Sequence, residues 1–294
     1  MPCYAPIDAW KSPHTGRLIF QMSPQVAQGN FEYLQVPCGQ CVGCRLERSR
    51  QWAMRCVHEA SLHQENCFLT LTYDNEHCPQ NMSLNKRDWQ LFMKRLRKDE
   101  PDTPIRYYMC GEYGDQYQRP HYHACIFGYS FPDKTFYKYT GESSEHSLYT
   151  SDQLDHLWGH GIATIGELTF ETAAYTARYV MKKVNGQDAE EHYQGRMPEF
   201  TLMSRRPGIG KGWFDKYSSD VYPHDFTVLN NKKLKPPKAY DVYYEQAGGD
   251  LESLKLKRKE HAELHSDNNT PERLKVREEI QQRKLERLKR QHDA

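Results

Sequence analysis

Residues 105–127 read IRYYMCGEYGDQYQRPHYHACIF, and this stretch decides the fold. Its apolar, aromatic and β-branched residues predict two strands, at 105–110 and 121–127. The intervening GEYGDQYQRP carries the Gly and Pro residues that interrupt strands and form turns. The stretch therefore predicts two strands joined by a turn-rich connection.

The second strand carries a possible metal site. Alternate side chains of a strand share a face, so His121 and His123 can bind one ion while Tyr122 points away. If the strands form a hairpin, Glu112 lies across from the two histidines. Two imidazoles and a carboxylate with open coordination positions suit a divalent cation that also binds substrate. An isolated H-x-H is more often a pair of surface or core-edge histidines, and the neighbouring residues favour the metal.

The surrounding sequence predicts an α+β fold. Further strands are expected at 67–73 and 161–168, with helices at 45–62, 85–98, 152–158 and 170–184. The order β-α-β-β-α-β-α predicts an antiparallel sheet with helices on one face. Residues 1–37, 129–150 and 185–239 are expected to be irregular. The charged segment from 251 onward is expected to be a solvent-exposed, partly disordered helix, with a helix start at Thr270-Pro271.

The helix at 170–184 carries a possible nucleophile. Thr169 is a plausible N-cap, and Tyr175 and Tyr179 lie four residues apart on one helix face. A phenol with a pKa near 10 attacks a phosphodiester only when a metal or a base assists it. Lys182 and Lys183 follow and can hold a phosphate backbone. The alternative is an amphipathic helix that uses its tyrosines for packing.

A cysteine cluster precedes the first long helix. The sequence PCGQCVGC offers three thiols in seven residues, and zinc sites commonly begin with such C-x-x-C spacing. Cys56 and His58 compete with the N-terminal cysteine for the fourth ligand position. Ordinary buried thiols and an iron–sulfur cluster are alternatives, and structural zinc is favoured. The predicted ligands are Cys3, Cys38, Cys41 and Cys44.

Composition limits the possible functions. No run approaches the about 18 apolar residues of a spanning helix, which excludes an integral membrane protein. Nine cysteines in 294 residues fit a reducing cytoplasm better than a disulfide scaffold. Because net charge is only +1, a nucleic-acid partner requires local basic patches. One is RRPGIGKGWF, with Arg205, Arg206 and Lys211, for which a solvated loop is equally compatible. Its glycine spacing excludes a P-loop.

Three segments together resemble a known family. CFLTLTYD, CGEYGDQYQRPHYHACIFG and AAYTARYVMKK stand in the order of the three motifs of HUH-type single-strand endonucleases. Over about residues 1–220 the chain resembles the replication initiation proteins of small single-stranded DNA phages, the microviruses of gokushovirus type. The resemblance implies an HUH fold with a central antiparallel sheet and flanking helices.

The resemblance also implies an activity, in which a tyrosine nicks the origin strand, becomes linked to the 5′ phosphate and later rejoins the strand. His121, His123 and Glu112 match the ligands of Mg²⁺ or Mn²⁺, and Tyr175 and Tyr179 match a two-tyrosine motif. Expected partners are single-stranded and supercoiled origin DNA and the host helicase and polymerase, in the cytoplasm of a bacterial host. Further residues expected at the DNA are Lys183, as the basic catalytic residue, with Lys182, Arg178, Arg205, Arg206 and Lys211.

The expected domains are a Cys-cluster element with its helix at 1–62, an HUH endonuclease domain at 63–220, and a basic linker with a charged helical tail at 221–294. Two other functions remain open. A plasmid relaxase or single-strand transposase would use the same chemistry. A non-catalytic zinc-dependent nucleic-acid-binding protein would use the tyrosines only for packing.

Overall fold

The computed structural model describes residues 3–140, 146–178, 183–184, 186 and 188–292. The chain forms two compact units. One consists of Met1–Arg48 with Leu256–Ala294, so it contains both ends of the chain, and the other is Ser49–Lys255. These boundaries differ from the expected ones, and the division at residues 62 and 220 stays a prediction about domain organisation.

Runs of strands and runs of helices follow one another along the described part of the chain. The strands are β1 (Ile7–Lys11), β2 (Leu18–Ile19), β3 (Glu32–Val36), β4 (Asn66–Thr72), β5 (Arg106–Tyr113), β6 (Pro120–Phe127), β7 (Thr135–Thr140), β8 (His146–Thr150), β9 (Ala163–Gly166), β10 (Phe200–Met203), β11 (Thr227–Leu229) and β12 (Lys232–Leu234). The helices are α1 (Pro24–Gln28), α2 (Val42–Ala60), α3 (Lys86–Asp99), α4 (Asp152–Trp158), α5 (Phe170–Ala177), α6 (Asp188–Tyr193), α7 (Lys211–Val221), α8 (Lys238–Gln246), α9 (Leu251–Glu263) and α10 (Pro271–His292).

The larger unit is built on a seven-stranded sheet in the order β10-β5-β6-β4-β9-β8-β7. Every neighbouring pair is antiparallel. The α+β class and the large antiparallel sheet are thus confirmed. The predicted hairpin of β5 and β6 lies near one edge of the sheet. A turn that contains Gly and Pro joins its two strands.

Helices pack on both faces of this sheet, so the expectation of helices on one face was wrong. Tyr122, Ala124 and Ile126 of β6 share a buried cluster with residues of α3 and α4. Cys125 and Phe127 share another with residues of α2 and α5. Because strand residues alternate between faces, these two clusters lie on opposite sides. The last four residues of β6, at 124–127, are apolar on both sides, which is typical of a strand covered on both faces.

The smaller unit contains a three-stranded antiparallel sheet in the order β2-β1-β3. The expectation that residues 1–37 are irregular was therefore wrong, because short strands with mostly exposed side chains give little periodic signal. The last helix begins at Pro271 as expected. It is exposed over most of its described length, but Leu274 is buried and Lys259 of α9 lies 3.7 Å from Glu32.

Two other segments expected to be irregular contain regular structure. Residues 129–150 include β7 and β8, which pair with each other at the far edge of the large sheet. Residues 185–239 include α6, β10, α7, β11 and β12. Both expectations were wrong. Apart from α7, which has 11 residues, these elements are short, and β10 becomes recognisable as a strand only through its long-range pairing with β5.

α7 and α8 pack against α2 through an aromatic cluster in the larger unit. The buried His58 of α2 stacks on Trp213 with ring centroids 3.6 Å apart, and its Nδ1 lies 2.8 Å from the hydroxyl of Tyr240. Burial lowers the pKa of His58 to about 4, since a charged imidazole is disfavoured away from water. His58 is therefore part of the aromatic core.

We expect His58 to make the protein less stable in mild acid. The unfolded chain protonates His58 below about pH 6.5, whereas the native state keeps it neutral down to about pH 4. Unfolding then takes up a proton, so the free energy of unfolding falls by about 2 kcal/mol between pH 7 and pH 5. Urea unfolding of the His58→Gln variant should show a pH dependence smaller by this amount. The exposed His224→Gln is the control, and equal pH dependence in His58→Gln and wild type would refute the assignment.

Candidate functional site

Three donor side chains converge on β5 and β6. In the antiparallel register Glu112 lies directly opposite His121, and His123 follows two residues later on the same face. Glu112 Oε1 lies 3.2 Å from His121 Nε2 and 3.4 Å from His123 Nε2. Glu112 and His123 are buried, and one ligand atom from each of the three residues lies within 4.8 Å of the others. The predicted hairpin geometry therefore brings these residues together.

Both imidazoles have a hydrogen-bond partner at Nδ1, and for His121 this partner determines which nitrogen carries the hydrogen. His121 Nδ1 lies 3.0 Å from the carbonyl oxygen of Arg119, which can only accept, so Nδ1 carries the hydrogen. His123 Nδ1 lies 3.0 Å from the hydroxyl of Thr70 on β4. In neutral His121 the Nε2 lone pair faces the Glu112 carboxylate. A proton or a cation between the Glu112 carboxylate and the Nε2 atoms stabilises this arrangement. Two imidazoles and a carboxylate fit a divalent ion.

Tyr175 reaches this group from α5. Thr169 caps the helix through the backbone N–H of Thr172, and the Thr172 hydroxyl accepts from the Thr169 N–H, which forms a capping box. The Tyr175 hydroxyl donates to Glu112 Oε1 at 3.1 Å, and its ring meets His123 edge-on at 4.9 Å. The residue is nevertheless 40% exposed. The phenol therefore lies beside the donor group and stays accessible from outside.

The surroundings of Tyr175 keep its phenol protonated. Desolvation of the hydroxyl and the nearby Glu112 carboxylate both raise the pKa of Tyr175 above its usual value. A negative charge on the phenol would lie next to the negative carboxylate, which is unfavourable. Positive charge at the donor group would therefore favour ionisation of Tyr175.

The structure describes only some of the other residues that were expected near Tyr175. Tyr179 and Lys182 lie outside the described residues. The Arg178 guanidinium lies 6.0 Å from the Tyr175 ring centre. Lys183 is half-buried and directly precedes Val184, whose N–H donates to the hydroxyl of Tyr193. The structure thus brings Arg178 to the site and leaves the second tyrosine as a prediction.

Four thiols form a second possible metal site, in the smaller unit. Their sulfurs lie within 4.8 Å of one another, and Cys3 Sγ is 4.0 Å from Cys41 Sγ. Four sulfurs around a tetrahedral zinc at 2.3 Å would be about 3.8 Å apart, so the spacing fits. The competing candidates, Cys56 and His58, lie outside the group. Its members are Cys3, Cys38, Cys41 and Cys44.

Backbone N–H groups surround these sulfurs. The N–H of Cys38 donates to Cys3 Sγ at 3.2 Å, the N–H of Tyr4 donates to Cys41 Sγ at 3.3 Å, and Cys38 Sγ accepts from the N–H of Cys41 at 3.3 Å. Burial opposes ionisation of Cys41, but hydrogen bonds from the Tyr4 and Cys44 N–H groups outweigh it and lower its pKa to about 7. N–H donors aimed at sulfur stabilise thiolates, the form that binds a metal.

The predicted basic loop is held by hydrogen bonds to the half-buried Arg106 and the buried Glu59. Arg106 Nη2 donates to the Pro207 carbonyl at 2.8 Å, and the Gly210 N–H donates to Glu59 Oε2 at 2.6 Å. Arg205 and Arg206 are exposed and line a cavity of about 530 Å³. Lys211, by contrast, forms an ion pair with Asp215.

Sequence reasoning did not find Glu59, Arg106 or Thr70. Glu59 and Arg106 contact each other and the loop across large sequence distances. Thr70 meets His123 only through the pairing of β4 with β6. The local signal for Thr70 was the motif FLTLTYD, which the resemblance matched to the first family motif that supports the site, but the motif did not identify the contact with His123.

Among the described residues, no helix is both long and apolar enough to cross a membrane.

Comparison with known proteins defines the class. A family model described as replication-associated protein ORF2/G2P matches residues 66–184, the segment that contains Glu112, both histidines and Tyr175. No solved structure matches this chain.

Similar proteins come from three phages. The replication-associated protein VP4 of Bdellovibrio phage phiMH2K is 35% identical over 90% of this chain and 86% of its own length. The replication-associated protein ORF2 of Spiroplasma virus 4 is 34% identical, covering 77% and 74% of the two chains. The replication-associated protein ORF4 of Chlamydia phage 1 is 32% identical, covering 74% and 54%. The chain therefore belongs to the replication-associated protein family of microvirus-type phages.

Proposed function

We propose that this chain is a metal-dependent, site-specific single-strand DNA nickase and ligase with an HUH endonuclease fold that initiates rolling-circle replication. The observation that carries the proposal is the hydrogen bond of 3.1 Å from the Tyr175 hydroxyl to Glu112, the residue that also faces both histidines. A nucleophile must lie within reach of the groups that activate its target. Membership of a family of phage replication-associated proteins supports the same conclusion.

Glu112, His121 and His123 would hold the divalent ion, Mg²⁺ or Mn²⁺. When bound, the ion stabilises negative charge on the phosphate oxygens and offsets the negative surroundings of the phenol. Tyr175 Oη forms a bond to phosphorus, and the bond between phosphorus and the 3′ oxygen breaks. The phenol loses a proton and the 3′ oxygen gains one, so the products are a 5′-phosphotyrosine and a free 3′ hydroxyl.

A second tyrosine would complete the cycle. After one round the regenerated origin must be cut while the first phosphotyrosine is still present. Tyr179, four residues after Tyr175, would make that cut, and the new 3′ hydroxyl would resolve the older link and close a circle. Basic groups would hold the DNA backbone near the tyrosines. These are Arg178, Lys182 and Lys183, and further away Arg205, Arg206 and Lys211.

We expect the two tyrosines to be separable by substitution. Tyr175→Phe should leave some origin nicking through Tyr179 but impair circle closure, since only one phenol remains. The Tyr175→Phe/Tyr179→Phe double variant should form no covalent adduct. The assay uses labelled single-stranded oligonucleotides that tile the encoding genome, incubated with Mn²⁺ and analysed on denaturing gels.

The control is Tyr137→Phe, since Tyr137 is an exposed tyrosine of β7, and it should form adducts like the wild type. An adduct formed by the double variant would contradict the proposal. Binding of the oligonucleotides by wild type without any covalent band would favour a non-catalytic nucleic-acid-binding protein.

The Cys group is proposed to hold a structural zinc ion. Its four sulfurs lie within 4.8 Å of one another, and those of Cys3, Cys38 and Cys41 accept hydrogen bonds from backbone N–H groups. Bound zinc contributes free energy of folding directly, because the unfolded chain lacks the assembled site.

Purified protein should therefore contain about one zinc ion per chain. Elemental analysis should show that Cys38→Ser loses most of this zinc and that chelation lowers the melting temperature of wild type. Cys78→Ser, which changes a cysteine outside the group, should keep its zinc. Wild-type protein without zinc, or a Cys38→Ser variant with full zinc content, would end this proposal.

The proposed setting is the cytoplasm of the bacterial host, with single-stranded and supercoiled origin DNA as substrate and the host helicase and polymerase as partners. A relaxase or transposase would carry out the same transfer at a plasmid transfer origin or a transposon end. The tiled oligonucleotides separate these cases, because an initiator should cut at one position of a phage genome.

A further inference from the structure

His123 is held by strand β4 as well as by its own strand. In the β4–β6 register Thr70 is the Cα partner of His123, and its Oγ1 lies 3.0 Å from the His123 Nδ1. Phe68, two residues earlier on the same face of β4, lies nearly parallel to the imidazole, with ring centroids 5.6 Å apart and an interplanar angle of 11°. Tyr175 meets the imidazole edge-on at 4.9 Å. The ring is therefore packed between two aromatic residues, with Nδ1 directed at Thr70 and Nε2 at Glu112.

The two histidines differ in what holds their Nδ1 atoms. His121 uses the backbone carbonyl of Arg119, which only accepts a hydrogen bond. His123 uses a side-chain hydroxyl, which can donate or accept. When His123 Nε2 binds an ion, Nδ1 must carry the hydrogen and Thr70 must accept it. The hydroxyl can thus accept the hydrogen bond of the ion-binding tautomer of His123. A methyl group in its place could not accept this hydrogen bond.

We propose that Thr70 is a positioning residue for the metal site: by accepting a hydrogen bond from His123 Nδ1 it holds the imidazole in the tautomer and orientation in which Nε2 can bind a divalent cation. This inference rests on the proposed metal site of the nickase. It gives the first motif, FLTLTYD, a specific task, since the neighbouring threonine of the motif, Thr72, pairs with His121 instead. Partners of metal-bound histidines act on affinity because they fix ring orientation and raise ligand basicity.

The test is Mn²⁺ binding by the full-length protein, measured by electron paramagnetic resonance titration without DNA. Thr70→Val has nearly the shape of threonine and lacks the hydroxyl, so it should weaken Mn²⁺ binding about 10- to 100-fold. Thr70→Ser restores the hydroxyl and should bind within a few-fold of wild type. The matched control is Thr164→Val, because Thr164 of β9 is the Cα partner of Thr70 on the side away from His123. It should bind Mn²⁺ like wild type.

A second readout reports on the ring itself. Long-range ¹H–¹⁵N spectra with Mg²⁺ should show hydrogen on Nδ1 of His123 in wild type and in Thr70→Ser. In Thr70→Val the population of this tautomer should fall. If Thr70→Val folds poorly, the same spectra can be recorded on wild type and Thr70→Ser alone. Hydrogen on Nε2 of His123 in the Mg²⁺-loaded protein would then overturn the inference.

The outcomes separate this inference from the proposed function. Equal Mn²⁺ affinity in Thr70→Val and wild type overturns the role of Thr70 and leaves the metal site intact. An equal loss in Thr164→Val shows a general effect on the sheet and also overturns it. Wild-type protein that binds no Mn²⁺ overturns the proposed metal site and, with it, this inference.

Discussion

The geometry of the candidate site depends on the register of one strand pair, β5 with β6. The pairing of β5 with β6 sets Glu112 opposite His121 and brings His123 to the same carboxylate oxygen. A shift by one residue would turn the histidines to the face covered by α3 and α4, because side chains alternate between faces. Apolar packing on both faces therefore fixes the register, and through it the donor group.

Packing and electrostatics act in opposite directions at this site. Burial of Glu112 and of His123 excludes water, so charges there interact strongly. The same burial makes a lone carboxylate and an ionised phenol unfavourable neighbours, as the raised pKa of Tyr175 reflects. A cation held by Glu112, His121 and His123 would resolve this conflict. Tyr175 itself is 40% exposed, so its ring is accessible from solvent.

The local parts of this arrangement could be predicted from the sequence. The hairpin, the Thr169 cap and the helix 152–158 depend on near neighbours in the chain, and the structure contains all three. The Cys group was predicted from the spacing of three of its members, while the fourth thiol comes from 35 residues upstream.

The elements and residues that the sequence did not predict depend on contacts between distant parts of the chain. β10 pairs with β5 about 90 residues away, and Glu59 and Arg106 hold a loop near residue 208. Helices on both faces follow from the packing of α2 and α5 against the histidine side of the sheet, which no local periodicity reveals. Short exposed strands such as β1 and β7 lack the alternation that marks a half-buried strand.

The most direct test is anomalous diffraction at the manganese edge from crystals of the full-length protein soaked in Mn²⁺. The account predicts one strong peak within bonding distance of His121 Nε2, His123 Nε2 and a Glu112 carboxylate oxygen, with the Tyr175 hydroxyl beside it. A peak elsewhere, with no manganese bound by these three side chains, would contradict it.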